Sequence, residues 1–319
     1  MKKVAWLFVV LWPVTSPAAD ELTIATYNVE NYVSTNRMTQ MGYRKDYPKP
    51  EAAKQALRDV IKRLQAEVLV MQEMGSLPYL EELQRDLVTQ GVNYPYAVLM
   101  QGQDENRHVA VLSRRPFVHV AQHAGLVFKY QGGYEAVKRG LLEVVLDTPI
   151  GPLTLWALHL KSRYTDEETD AQSALRRASE SMAVREFILK QTTSAEETLF
   201  VILGDFNDTK ASAPLRYLTR KGKNHFARLL PAADANGDHW TYHYRKEDTY
   251  SRVDHILVST PLWHAVKDGR ATIFDGDDVR TASDHRPVMV TFEFGSFGTG
   301  RTSVADSERS ETISAEDGD

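Results

Sequence analysis

In the stretch Phe200-Val201-Ile202-Leu203-Gly204-Asp205-Phe206-Asn207-Asp208 an apolar, β-prone run stops at a glycine, and an acid, an aromatic, an amide and a second acid follow at once. Such a run reads as a buried strand, and the polar residues after it stand at a rigid strand end. The pattern recurs in both directions. Leu22–Tyr27 delivers Asn28, Val68–Met71 delivers Gln72 and Glu73, Leu153–Leu160 carries His159, and Asp254 and Asp284-His285 adjoin the β-prone runs Val253–Val258 and Val288–Phe294. Strand ends that converge in a layered fold make pockets.

Between these runs lie helices. Pro48 and Pro50 introduce one from Glu51 to Gln65, where Leu57, Val60, Ile61 and Leu64 form a single apolar stripe. Leu80, Leu83 and Leu87 mark a second, before strands near Tyr96–Met100 and His108–Ser113. Leu141–Leu146 and Leu153–Leu160 flank Thr148-Pro149-Ile150-Gly151-Pro152 and read as a hairpin. A helix from Asp170 to Lys190 is predicted to bury Leu175, Ala178, Met182 and Leu189, a short helix follows Pro214, and a strand is expected over Trp240–Tyr244. The order of strands and helices thus runs through the chain twice in outline. Two helix-covered sheets packed face to face satisfy both the strand count and the helical stripes, so the expected fold is α/β, a four-layer α-β-β-α sandwich of two mixed sheets. No short-period repeat or internal linker interrupts 20–294, which is read as one domain.

Composition agrees. Of 319 residues 42% are hydrophobic and 25% charged, which suits a globular core and excludes collagen-like or wholly disordered chains. The absence of cysteine excludes disulfides, thiolate metal sites and cysteine nucleophiles, so any metal must be held by oxygen or imidazole. Residues 1–19 read as a signal peptide: Lys2 and Lys3, an apolar run from Val4 to Trp12, then Ser16-Pro17-Ala18-Ala19. That run falls short of the ~20 residues that span a bilayer, and no other segment is long and apolar enough, so the chain is expected to be exported, periplasmic or secreted. Residues 295–319 read as a disordered acidic tail. The formal charge of −5 becomes about −3 once the leader and the tail are set aside, which is no footprint for tight, sequence-independent DNA binding.

Taken singly, each polar strand end has a plain explanation as a turn or a cap. Together, Thr26-Tyr27-Asn28-Val29-Glu30-Asn31, Val70-Met71-Gln72-Glu73, Leu158-His159-Leu160-Lys161, Leu203-Gly204-Asp205-Phe206-Asn207-Asp208, Arg252-Val253-Asp254-His255 and Ser283-Asp284-His285-Arg286-Pro287 occur in this order. From Leu22 to Phe294 the chain resembles the endonuclease/exonuclease/phosphatase superfamily, which includes pancreatic-type deoxyribonucleases, AP endonucleases, neutral sphingomyelinases and inositol polyphosphate 5-phosphatases. Gly-Asp-Phe-Asn and Ser-Asp-His are the specific signatures. The resemblance implies that Glu73 binds a divalent metal, with Asn28 beside it and Asp284 a further metal-site acid. Asp205 and Asn207 would orient the attacking water, His285 would be the catalytic imidazole held by Asp254, and His159 and Arg139 would contact phosphate.

The chemistry suits these residue types. A phosphoester hydrolyses slowly in water because its negative charge repels the nucleophile, and a hard cation on oxygen ligands, Mg2+ or in its place Mn2+, neutralises that charge. An imidazole held by a carboxylate exchanges a proton near neutral pH. Either His285 or Asp205 could take the proton from water, and the reading favours the two jointly. The expected activity is phosphodiester hydrolysis, with nucleic acid the first candidate substrate, lipid or inositol phosphates the alternative, and a catalytically silent binding module the competitor from another class. His239 and His243 lie on a strand-like segment, too far apart for one ion. Tyr130-Gln131-Gly132-Gly133-Tyr134 reads as a surface loop near the cleft, and no Gly-x-Ser-x-Gly elbow points to a serine hydrolase.

Overall fold

The structure, a computed structural model, describes residues 21–295 apart from 166, 193, 195 and 196. The expected leader and all of the expected tail except Gly295 lie outside the described residues.

Two large mixed sheets form the centre. The first has seven strands in the order Ala232–Ala233, Ala271–Ile273, Val288–Glu293, Glu21–Tyr32, Val68–Met74, His108–Ser113, Tyr96–Leu99. The second has six, in the order Ala227–Leu229, Asp254–Ser259, Leu199–Asp205, Leu153–His159, Leu141–Leu146, His119–His123. Each contains one central parallel pair, Glu21–Tyr32 beside Val68–Met74 and Leu153–His159 beside Leu199–Asp205. A parallel pair needs a crossover, and helices supply it: α1 (Glu51–Leu64) in the first case and α3 (Ala174–Gln191) in the second.

Side-chain alternation sorts the core into layers. Leu22, Ile24, Val68 and Val70 face Val201, Leu203, Ile256 and Val258 between the sheets. Their neighbours Ala25, Tyr27, Leu69 and Met71 face outward, onto Leu57, Val60, Ile61 and Leu64 of α1 and Leu80, Leu83 and Leu87 of α2 (Leu77–Thr89). On the far side Trp156, Leu158, Phe200 and Ile202 meet Val184 and Ile188 of α3 and Leu215 and Leu218 of α4 (Ala213–Thr219). Burying each such side chain stabilises the fold by about 1.5–3 kcal/mol. The order α-β-β-α follows from this alternation.

Three local expectations are corrected. Helix α3 buries only part of the predicted stripe: Leu175 and Met182 are exposed, Ala178 is half-buried, Leu189 packs half-buried against the core, and the inward face is Arg177, Glu180, Ser181, Val184 and Ile188. Arg177 is satisfied by Asp208 and the Lys161 and Gln172 carbonyls, and Glu180 accepts from the Lys138 and Lys161 amides, so charged groups sit where an apolar stripe was expected. The loop expected around Tyr130–Tyr134 is a hairpin, Val127–Tyr130 with Gly133–Ala136, turned by Gln131 and Gly132 in left-handed conformations. The strand expected over Trp240–Tyr244 is only Tyr242–Tyr244, paired with Thr249–Ser251. Among the described residues no helix is long and apolar enough to cross a membrane.

Candidate active site

The carboxyl ends of these two central parallel pairs open at the same end of the sandwich. Within the second sheet, register sets His159 opposite Asp205 and Asp205 opposite Asp254. Within the first, Asn28 stands opposite Gln72, one residue before Glu73. Two hydrogen bonds cross from sheet to sheet: Asn28 Nδ2 donates to Asp205 Oδ2 at 3.0 Å, and His285 Nδ1 pairs with Asp254 Oδ2 at 2.8 Å. Gly204 shapes the strand that delivers Asp205, against its neighbour within the second sheet. Its φ is +142°, and a Cβ built there would lie 1.9 Å from the Leu158 carbonyl oxygen, which no side chain tolerates.

Asp205 is the hub. Its Oδ2 lies 3.5 Å from His159 Nε2 and 3.9 Å from His285 Nε2. The Asn207 main-chain amide donates to its Oδ1 at 2.8 Å, and Asn207 Nδ2 donates to the Leu160 carbonyl at 3.0 Å and to Asp205 Oδ2 at 3.3 Å. Burial, then the charge of Asp254, push the Asp205 carboxyl up to about 7, against the pull of His285 and its hydrogen bonds. Burial by itself would lower His285, but Asp254, with Asp205 and Asp284 behind it, holds the imidazole well above its ordinary range. His159 is driven the other way by burial and then by Arg139 and His285, and stays neutral. The ligand atoms of Asp205, Asp254 and His285 lie within 4.8 Å of one another. Because Asp254 is committed to the ring nitrogen of His285, this group is better suited to moving a proton than to chelation.

Glu73 sits at the mouth with a left-handed backbone, φ +62°, and its Oε2 accepts the Asn31 amide at 2.9 Å. Glu30 and Asn31 are left-handed too, where the pairing with Val68–Met74 slips register. Asp284 is raised by burial and, after the opposing pull of His285, by Glu30. Glu30, Asp284 and Glu73 all act on the buried Lys49 ammonium, so three carboxylates line this end without meeting as closely as Asp205, Asp254 and His285 do, and Lys49 and Arg245 hold Glu30 from either side, at 3.8 Å and 3.3 Å. An all-oxygen set of this kind fits a hard divalent cation better than a soft one. Arg139 adjoins His159, with its Nε on Asp104 at 3.0 Å and its Nη1 on the Leu160 carbonyl at 3.4 Å. His239 and His243 face different partners, the Ala232 carbonyl and Asp248.

Several residues of this pocket were passed over in the sequence. Ser283 Oγ donates to the Asn28 carbonyl at 2.8 Å and accepts the His285 amide at 3.0 Å, so it ties the His285 segment to the first sheet. The Thr241 hydroxyl accepts the Val253 and Asp254 amides, Arg107 anchors Asn31 at 2.7 Å, and the Tyr242 ring lies 4.7 Å from that of His285. Only Ser283 carried a signal, being the first residue of Ser-Asp-His.

A two-sheet sandwich with helical flanks and an acidic pocket at its strand ends is the scaffold of a phosphoester hydrolase. The chain belongs to the Endonuclease/Exonuclease/phosphatase family, matching it over residues 25–285, and members of that family are generally metal-dependent hydrolases of phosphoester bonds. No curated protein matches the chain significantly. Its fold is similar to that of sphingomyelinase C from Streptomyces griseocarneus, at a TM-score of 0.59 and 17% identity over 86% of this chain and 99% of that one. It is similar to truncated TDP2 from Caenorhabditis elegans, at 0.54 and 17% over 86% and 98%. A Staphylococcus aureus beta toxin variant with bound magnesium ions is similar at 0.58 and 14% over 86% and 100%.

Proposed function

We propose that the chain is an exported, divalent-metal-dependent phosphodiesterase acting on nucleic acid. One observation carries the phosphodiesterase reading: Asp254, His285, Asp205 and Asn28 form a hydrogen-bonded and charge-paired line across the two sheets, from 2.8 Å at one end through 3.9 Å to 3.0 Å at the other. Export rests on the leader sequence alone.

In this reading Asn28 and the Asn207 amide fix the Asp205 carboxylate so that it meets a water on its way to phosphorus. A carboxyl raised to about 7 is well matched to accept that water's proton at neutral pH. His285, kept cationic by Asp254, offers Nε2 to a phosphoryl oxygen and shares the proton exchange, and neutral His159 adds a further contact. Glu73, with Asn28 and Asp284, would hold a Mg2+ or Mn2+ ion, whose chemistry is to neutralise charge that develops on the phosphoryl oxygens.

A lipid phosphodiester is the second reading, favoured by one observation. The hairpin Thr35–Thr39/Gly42–Tyr47 beside Asn31 leaves Met38, Met41 and Tyr43 exposed among Arg37, Arg44 and Lys45. The purified mature chain, assayed with and without EDTA on DNA, RNA, sphingomyelin, inositol phosphates and bis-p-nitrophenyl phosphate, tests both. Hydrolysis of nucleic acid that is lost in EDTA and restored by Mg2+ or Mn2+ is the expected result. Inactivity on every phosphoester with Mg2+, Mn2+ and Ca2+ would leave a binding module.

A further inference from the structure

The catalytic end carries an aromatic wall that the hydrolytic machinery does not use. Main-chain pairing fixes it: Tyr242 forms an antiparallel bridge with His285, and the His243 amide donates to the Asp284 carbonyl at 2.9 Å. The Tyr242 ring lies against His285 with centroids 4.7 Å apart. Its phenol is pushed up by burial, then by Asp284 and Asp205, with Glu73 a further contributor, so it stands within the field of the site acids. Tyr244, two residues on, shares its face of the strand and stacks beside it at 6.4 Å and 28°. Tyr244 as a residue remains 37% exposed at the outer end of the pair.

Behind this wall the hairpin is braced. Tyr250 stacks on His243 at 4.2 Å and 3° and meets Trp240 at 4.9 Å, and His243 is held by Asp248 at 2.9 Å. On the same far side Arg280 lies over Trp240 at 5.6 Å, and Arg245 is engaged by Glu30 at 3.3 Å and by the Arg280 carbonyl at 3.0 Å. Glu247 and Asp248 carry the negative charge of this hairpin at its turn. Flat rings that step outward from the His285 imidazole offer a π-face of the kind on which a nucleobase stacks.

We propose that Tyr242 and Tyr244 form a stacking site for an unpaired nucleobase next to the scissile phosphate. This rests on the nucleic-acid reading and narrows it to single-stranded substrates, because a base inside a duplex has no free face to offer.

The test compares dithymidine phosphate with the same dimer in which both bases are replaced by hydrogen. Tyr244→Ala is expected to raise KM for the base-bearing dimer by about tenfold and to leave KM for the abasic dimer unchanged. Tyr244→Phe, which keeps the ring, should behave as wild type on both. Equal effects of Tyr244→Ala on the two dimers, or none on either, would overturn the stacking site while leaving the nucleic-acid reading in place. Wild-type chain that hydrolyses bis-p-nitrophenyl phosphate but neither dimer would overturn both. Quenching of tyrosine fluorescence by thymidine monophosphate in EDTA, diminished in Tyr244→Ala, checks binding apart from turnover, and quenching equal in both proteins counts against the site.

Discussion

Asp254→Asn isolates the charge that makes His285 cationic. The two side chains are nearly buried, with Nδ1 and Oδ2 2.8 Å apart, and the substitution keeps shape and a hydrogen-bond acceptor while it removes the carboxylate. For charges roughly 4 Å apart at an effective dielectric of about 20, the lost attraction is about 4 kcal/mol, which at 1.36 kcal/mol per decade is about a thousandfold in kcat. Stability should fall as well. Asn leaves the buried His285 imidazolium without its carboxylate and puts an amide where Asp254 Oδ1 has no partner, a loss that relief of the Asp254–Asp205 repulsion offsets only in part, so Tm should drop. Initial rates on bis-p-nitrophenyl phosphate at saturating Mg2+, with Tm from thermal unfolding, measure both. A loss of less than tenfold with an unaltered pH profile would refute the assignment of His285 as a carboxylate-held cation.

Activity of the wild type should rise with pH through about 7 as Asp205 ionises and fall at alkaline pH as His285 loses its proton, a bell whose rising limb Asp205→Asn removes together with at least about a thousandfold of kcat. The Asp205 carboxyl, raised on folding, adds stability that is complete below its unfolded value near 3.8 and is lost as pH rises through about 7. In EDTA, therefore, Tm should drop between pH 5 and pH 8, and the drop should shrink in Asp205→Asn, leaving the part due to His285; a slope as steep in the variant as in the wild type rejects this origin. Glu73→Gln should weaken Mg2+ binding by about tenfold or more in calorimetry, and unchanged affinity would remove Glu73 from the metal site. Arg139→Ala leaves Asp104 buried without its partner and should cost about 3–5 kcal/mol in denaturant unfolding. Gly204→Ala, which drives a Cβ into the Leu158 carbonyl, should cost about 3 kcal/mol or more and yield little soluble protein.

Some elements were legible because their signal is local. The run Phe200–Leu203 is apolar on both faces because one face meets the other sheet and the other meets α3 and α4. The stripe of α1 is read from four spaced residues because all four face one sheet. Helix α3 was misread for the opposite reason: Arg177 and Glu180 are buried only because distant main-chain groups and Asp208 satisfy them. The hairpins at 35–47 and 127–136 bury little, so they lack the alternation by which a strand announces itself.

The linear order of residues was enough to give the layered α/β class, the strand ends that carry acids and amides, and through Gly-Asp-Phe-Asn and Ser-Asp-His the family, since each depends on side chains a few positions apart. Tertiary structure alone decided which of those ends meet. Asp254 and His285 are separated by thirty-one residues and Asn28 and Asp205 by 177, and each pair touches only because two sheets stack with their parallel strands ending on the same side. The ionisation of the site follows from that packing, because desolvation and charge proximity act through space rather than along the chain.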